Sequence, residues 1–371
     1  MGKAKVYFTD MRTGTSVNLP QKLEKLIKKA GIGEIDFRNK FTAIKMHFGE
    51  LGNLAYLRPN YARTVVETVK SLGGKPFLTD CNTLYVGSRK NALEHIEAAY
   101  INGFSPFSTG CHILIADGLK GTDDVEVPVK GGEYVKNAKI GRAIMDADIL
   151  ISLSHFKGHE NAGFGGALKN LGMGCGSRAG KMEMHCDGKP HVNQEQCIGC
   201  GMCAKICAQD AITLEQKKAS IDHDKCAGCG RCIGVCHQDA VVPPYDESND
   251  IMNRKIAEYA KAVVDGRPCF HISLVVDVSP FCDCHAENDA PIVPDVGMFA
   301  SFDPVALDKA CVDAVNAQPV IADSLLGEAG AHRGDGDYFH AVSPDTNWRS
   351  CLEHAEKIGL GTMDYELVTV K

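Results

Sequence analysis

Short apolar runs alternate with helix-period segments along the first part of the chain. Val6-Tyr7-Phe8, Ala43-Ile44-Lys45-Met46, Phe77-Leu78-Thr79, Ile113-Leu114-Ile115-Ala116 and Ile149-Leu150-Ile151-Ser152-Leu153 are brief and mostly apolar, the pattern of buried strands. Between them Leu23, Leu26, Ile27 and Ala30 repeat at i, i+3, i+4, i+7, and Ala62, Val65, Val66, Val69 and Leu72 do so again after Pro59, which predicts helices. Lys28 and Lys29 then lie on a solvated face. The same character returns near the other end. It predicts a helix over Ile251 to Val264, a strand over Ile272 to Val276 and a helix with Asp303 as N-cap and Pro304 at its first position. Leu352, Ala355 and Ile358 mark a last helix closed by Gly359 or Gly361, and Leu367 to Val370 an edge strand. This alternation predicts a layered α/β domain with a parallel or mixed sheet.

Between the two stretches the periodicity gives way to cysteine. Cys197-Ile-Gly-Cys200-Gly-Met-Cys203-Ala-Lys-Ile-Cys207 and Cys226-Ala-Gly-Cys229-Gly-Arg-Cys232-Ile-Gly-Val-Cys236 are two C-x2-C-x2-C-x3-C runs. In a bacterial two-cluster ferredoxin the fourth cysteine of each run crosses to the other cluster. Cys197, Cys200, Cys203 and Cys236 are therefore expected to hold one [4Fe-4S] cluster, and Cys226, Cys229, Cys232 and Cys207 a second. Gly199, Gly201, Gly228 and Gly230 let the backbone wrap the sulfurs closely. A structural zinc site needs four ligands with a longer gap between pairs, so this duplicated order suits zinc poorly. The proline that usually follows the fourth cysteine is replaced by Ala208 and His237. The expected organisation is an α/β domain over 1–190 and 244–371, interrupted at 191–243 by an inserted ferredoxin-like α+β domain, with Pro243-Pro244 at the second boundary.

Composition narrows the function. A chain of 371 residues, 44% hydrophobic, can bury a sizeable core, and a net charge of −7 without a long basic run argues against nucleic acid. The chain opens directly into a strand, Val6 stands where myristoylation wants a hydroxyl residue, and no apolar run is long enough to span a membrane. With 17 cysteines and no signal segment, the expectation is a cytoplasmic protein of a reducing compartment, in a cell that tolerates oxygen-labile clusters.

A second constellation follows the strand at 149–153. Ser154-His155-Phe156-Lys157-Gly158-His159-Glu160-Asn161 runs on through Lys169-Asn170 to Cys175, where open α/β sheets place ligands. His155, His159, Lys157 and Lys169 suit an anionic substrate or proton transfer; the bland alternative is a glycine-rich surface loop. Nucleotide motifs fail here: Gly172-Met-Gly174-Cys-Gly176-Ser177 lacks the third glycine, and Gly180-Lys181 is followed by Met182. Among the remaining cysteines, Cys111, Cys269, Cys311 and Cys351 sit in apolar surroundings as small hydrophobes. Cys282-Asp283-Cys284-His285 differs, being a compact set of soft ligands. If the fold brought Cys282 and Cys284 to Cys175 and His185, a third iron-sulfur cluster or metal ion would have a site; otherwise they form a free dithiol on a loop.

These residues resemble a family of iron-sulfur centre proteins built on domain of unknown function 362. The resemblance rests on Lys45-Met-His47-Phe-Gly-Glu50-Leu-Gly-Asn53, Asn82-Thr-Leu-Tyr85, the block from His155 through Cys175 to His185, Ser279-Pro-Phe-Cys282-Asp-Cys284 and Ser301-Phe-Asp303-Pro-Val-Ala306. It implies an α/β domain and iron-sulfur clusters, and gives no substrate. It places Cys175, His185, Cys282 and Cys284 within signature blocks, and adds Lys45, His47, Glu50 and Asn170 to the substrate or proton-handling candidates. Cys81, where a threonine is expected, is then an unlikely ligand.

Three functions fit. The first is a redox enzyme whose clusters relay electrons between a partner protein and a small-molecule substrate in the α/β domain. The second is an electron-transfer subunit or adaptor that docks a partner enzyme. The third is a metal-dependent isomerase or racemase using His155, Lys157 and His159.

Overall fold

A computed structural model describes residues 2–186, 189–245 and 247–371. Eight strands form its central sheet: β1 (Ala4–Asp10), β2 (Phe41–Lys45), β3 (Lys75–Asp80), β4 (Ile113–Ile115), β5 (Ile149–His155), β6 (Cys269–Val275), β7 (Gly297–Ser301) and β8 (Tyr365–Thr369). Their spatial order is β8-β1-β7-β6-β5-β2-β3-β4. Only β7 runs against its neighbours, β1 and β6; the other adjacent pairs are parallel. This is a layered α/β arrangement dominated by parallel pairing, with β8 at one edge. Segments from both sides of the cysteine runs contribute strands to this one sheet.

Alternation along the strands divides the core between two faces. Ile149, Ile151 and Leu153 of β5 pack with Phe270, Ile272 and Leu274 of β6 against helices α1 (Leu19–Lys29) and α2 (Pro59–Ser71). Leu150 and Val275 point to the other face, covered by α3 (Ala167–Cys175), α5 (Asn249–Val264), α6 (Pro304–Asn316) and α7 (Arg349–Lys357); α4 (Arg178–His185) follows α3. The predicted caps form, as Asp303 accepts from the backbone N–H groups of Val305 and Ala306. On the second face one polar pair is buried in the sheet, Ser152 Oγ lying 2.9 Å from His271 Nδ1.

The glycine-rich stretch after β5 is not a loop. Lys157–His159 and Gly163–Gly165 pair as a hairpin, and α3 follows. Gly172 of α3 lies against the backbone of Ile256 in α5, so this glycine serves close helix packing.

Residues 191–242 stand outside the sheet. His191–Val192 pairs with Val241–Val242, Ile212–Glu215 with Lys218–Ile221, and each cysteine run has a short helix, Met202–Ile206 or Arg231–Gly234. Gly201 and Gly230 start those helices at φ 75° and 66°, so the repeat seen in sequence extends to the backbone. Cys197, Cys203, Cys232, Ile212, Ile233 and Val241 share a small core with Leu84 and Met182 of the larger body. Among the described residues no helix is long and apolar enough to cross a membrane.

Gly172→Ala tests the packing at α3. A methyl there meets the Ile256 carbonyl, a backbone atom that cannot turn aside. The helix-propensity gain of about 1 kcal/mol is outweighed by overpacking of about 1–3 kcal/mol, so the variant should unfold at lower urea concentration.

Candidate active site at the reversal of strand order

From β2 the chain order runs one way through β3 and β4 and the other way through β5 and β6, and these strands point their carboxyl ends to one edge. Ligands of open α/β sheets bind outside such a reversal. A cavity of about 400 Å³ lies there. Lys45 reaches it from the end of β2 and His47 from just beyond, Asp80 from β3, His155 from the end of β5, Lys157 and His159 from the hairpin that follows, and Cys282, Cys284 and His285 from the segment after β6. Helix α3 adds Lys169 and Asn170, and α4 adds Lys181 and His185.

The cavity floor is a set of buried ion pairs. Lys45 Nζ is 2.9 Å from Asp80 Oδ1 and 2.8 Å from Asn170 Oδ1. The Asn170 amide in turn donates to the Lys45 carbonyl and to Ser154 Oγ, tying α3 across β2 and β5. Burial pushes Asp80 up, but Lys45, His95 and His47 together hold it well below the usual carboxylate range. Asp283 is a second centre, with Lys157 Nζ 3.0 Å from Oδ1, His155 Nδ1 3.0 Å from Oδ2 and His47 Nδ1 3.6 Å from Oδ1. Burial raises Asp283 too, and Lys157, His47 and His155 again bring it well below its ordinary value. His155 Nε2 lies 2.8 Å from the Val276 carbonyl, so both of its ring nitrogens face oxygen acceptors and neither is free for a substrate. Arg89 binds Glu50 at 2.9 Å, the Tyr85 hydroxyl at 2.6 Å and the Cys284 carbonyl at 3.0 Å. Burial, and then Arg89 beside it, push His47 well below its usual range, against the pull of Asp283 and Asp80.

Two thiols meet a histidine on the cavity wall. Ligand atoms of His159, Cys282 and Cys284 lie within 4.8 Å of one another, and all three residues are buried. The N–H groups of Asn161 and Ala162 both point at His159 Nδ1, at 3.1 Å, and fix the ring. Cys284 is drawn below the usual thiol range by a hydrogen bond from Cys282, whose own value burial pushes up to about 12. Lys169 Nζ is 3.9 Å from Cys282 Sγ. Lys169 and Lys181 have no carboxylate partner among the described residues, and Lys181 donates to the Gly176 carbonyl at 2.6 Å. His185 lines the same cavity, and burial, with Lys169 and His159 nearby, lowers it to about 3. Cys175 does not join the thiols. Its Sγ faces the Asn170 carbonyl at 3.8 Å, its own carbonyl accepts from Cys81 at 3.4 Å, and it packs in the core behind the cavity. Of the set expected for a third centre only Cys282 and Cys284 come together; Cys175 and His185 fall outside the close group, and His159 joins the two thiols instead.

Cys197, Cys200, Cys203 and Cys236 line a second, small cavity. Cys232 is pushed up to about 12 by burial and by the neighbouring Cys229 and Cys226. Four thiolates around one zinc ion at Zn–S of about 2.3 Å sit about 3.8 Å apart. Among the described residues the one group of three ligands within 4.8 Å is the His159 set, so the ferredoxin-type cysteines are splayed too widely for a single ion. Backbone N–H groups of Ala219, Ala211, Gly228 and Ala240 donate to Cys197, Cys207, Cys226 and Cys236 Sγ at 3.3–3.4 Å, hydrogen bonds of the kind that tune cluster-ligating sulfur. The donor set, with Cys236 of the second run beside three thiols of the first around one small cavity, fits an iron-sulfur cluster. Arg178 is buried beside this region with Nε and Nη1 lacking any hydrogen-bond partner.

Asp80, Arg89, Lys181 and Arg178 were not singled out by sequence. A charged residue closing a buried apolar strand is the available signal for Asp80; Arg178 and Lys181 lie inside the block from His155 to His185, and Arg89 meets Glu50 and the Cys284 carbonyl, both far away in the chain.

The family model described as domain of unknown function (DUF362) matches residues 42–313. No match was found among curated proteins. Among solved structures, a protein from Thermotoga maritima aligns at 13% identity and TM-score 0.40, covering 83% of this chain and 60% of that one. This chain thus spans 60% of that protein's length. The lactate racemase apoprotein from Thermoanaerobacterium thermosaccharolyticum aligns at 12% identity and TM-score 0.42, covering 99% of this chain and 83% of that one.

Lys157→Met leaves the buried Asp283 carboxylate without its lysine, and the expected cost is about 3–5 kcal/mol in denaturant titrations at neutral pH. Asp283 has a depressed native value, so it adds stability above its unfolded value of about 3.9, and this is lost as pH falls through the native value. With Lys157 gone the native value rises, and the loss of stability on acidification should begin at higher pH than in the wild type.

Proposed function

We propose that this chain, which belongs to the DUF362 family, is an iron-sulfur redox protein that passes electrons between a partner protein and a substrate held at the reversal of strand order. Cys197, Cys200, Cys203 and Cys236 would hold one [4Fe-4S] cluster, and Cys226, Cys229, Cys232 and Cys207 the other. Clusters so held supply one-electron transfer at low potential. The observation that carries this reading is the crossing of the runs: Cys236 of the second lines one small cavity with Cys197, Cys200 and Cys203 of the first.

The remaining roles follow from the chain's own groups. Cys200 is exposed, with the apolar side chains of Ile198, Met202 and Leu214 exposed on neighbouring residues, and this face suits a docking redox protein. Lys169 and Lys181, cations without a carboxylate partner, would hold an anionic group of a small substrate in the cavity. His185, kept neutral, can hydrogen-bond a substrate there through its ring nitrogens without taking up charge. Lys157, His155 and His47 would act through Asp283, and so as positioning groups. His159, Cys282 and Cys284 offer a soft metal ion three ligands and leave a position open to the cavity.

One observation favours a second reading of the two thiols. With Nδ1 accepting two backbone N–H groups, the neutral His159 ring carries its proton at Nε2, where it can donate to a thiolate. Cys282 and Cys284 would then work as a dithiol that closes to a disulfide, releasing two protons and passing two electrons to the two clusters, one to each.

Anaerobic iron, sulfide and total-metal analysis tests both. The wild type should hold about eight irons with matching labile sulfide and one further ion. Cys282→Ala with Cys284→Ala should lose only the further ion. A protein with no iron-sulfur content would sink the redox reading; full clusters without the ion, and alkylation of Cys282 and Cys284 that depends on applied potential, would select the dithiol.

A further inference from the structure

Arg178 opens α4 and its side chain leads away from the substrate cavity. A methyl group at Gly234 would collide with its Nη1, and one at Gly230 would lie 3.1 Å from its Cγ, so the guanidinium lies against the second cysteine run. The residue is fully buried. Nη2 donates to the Lys90 carbonyl, while Nε and Nη1 have no hydrogen-bond partner among the described residues. The nearest carboxylate, Asp117, is bonded through Oδ1 to the backbone and amide of Asn82; its buried Oδ2 shares the space beside Gly121 with Arg178 Nε but makes no hydrogen bond, so Asp117 offsets the charge only in part and leaves Nη1, on the Gly234 side, unmet. Buried guanidinium donors are otherwise found hydrogen-bonded to an anion.

We infer that Arg178 is the counter-charge of the inner cluster, the one held by Cys226, Cys229, Cys232 and Cys207, and that it sets the direction of electron flow. The inference rests on the two-cluster reading above. A cluster ligated by four thiolates is anionic and gains further negative charge on reduction, so a buried guanidinium favours its reduced form. Among the described residues the outer quartet has no buried cation with unmet donors beside it. Lys218 beside it donates to the carbonyls of Gln194 and Cys197, and Lys90 is paired with Asp239. Cys200 is exposed, and water screens its surroundings. The inner cluster therefore has the higher potential. Electrons entering at Cys200 fall to the side from which α4 leads to Lys181 and His185 in the cavity wall. Arg178 touches neither substrate nor the reacting atoms; it is a positioning and tuning residue.

The test is an EPR-monitored redox titration of the anaerobically purified full chain, with Arg178→Met, Arg178→Lys and Gly234→Ala alongside. Loss of the charge in Arg178→Met should disfavour reduction of the inner cluster at least tenfold, about 59 mV for one electron, and leave the outer midpoint in place. Arg178→Lys should keep part of the effect. Gly234→Ala keeps every polar group and displaces the guanidinium, so it should shift the inner midpoint the same way even where Arg178→Met assembles poorly. Unchanged midpoints in Gly234→Ala, or in Arg178→Met at full iron content, would overturn the inference. Wild-type protein lacking about eight irons would instead overturn the cluster reading beneath it.

Discussion

Charge buried in pairs at the ends of parallel strands is the constraint on which this structure depends. Lys45 and Asp80 close β2 and β3, and Lys157 and Asp283 join the segments after β5 and β6. Each carboxylate is raised by burial and brought down by its cations. An isolated charge in that position would be neutralised or solvated, and the cavity would collapse or flood. Because each pair joins two strands, the pairs also fix the strand ends relative to one another. Asn170 extends the same logic to α3 by bonding both Lys45 and Ser154.

With the floor neutralised in this way, the walls are left to chemistry. Lys169 and Lys181 have no acidic partner, and His159 is turned by backbone donors so that it meets Cys282 and Cys284. Helix α4 links this cavity to the cysteine runs: Lys181 and His185 line the cavity, Met182 packs in the small core with the cysteines, and Arg178 presses on Gly234. A short rigid element with both regions on its surface is a suitable support for function divided between an inserted segment and a sheet.

Much of the fold is legible because the signals are local. Strand and helix periods, the Asp303 cap and the repeated cysteine spacing each need a window of only a few residues. The glycine-rich block misleads for the same reason: nothing local distinguishes a glycine that frees a loop from Gly172, which admits the backbone of Ile256. His155 looked like a proton carrier by residue type, yet both of its nitrogens are held by groups from the segment after β6. Cys175 shares a block with His159, and only the turn of α3 carries its sulfur into the core.

The sequence by itself determined the α/β class, the duplicated C-x2-C-x2-C-x3-C runs and the stretches rich in His, Lys and Cys, since composition and spacing carry those. Only the tertiary structure decided which members of those stretches meet. It set His159 beside Cys282 and Cys284, Lys157 on Asp283, Lys45 on Asp80 and Arg178 against the second cysteine run. Such meetings depend on the order in which strands lie in the sheet, and that order is a property of the whole packed chain.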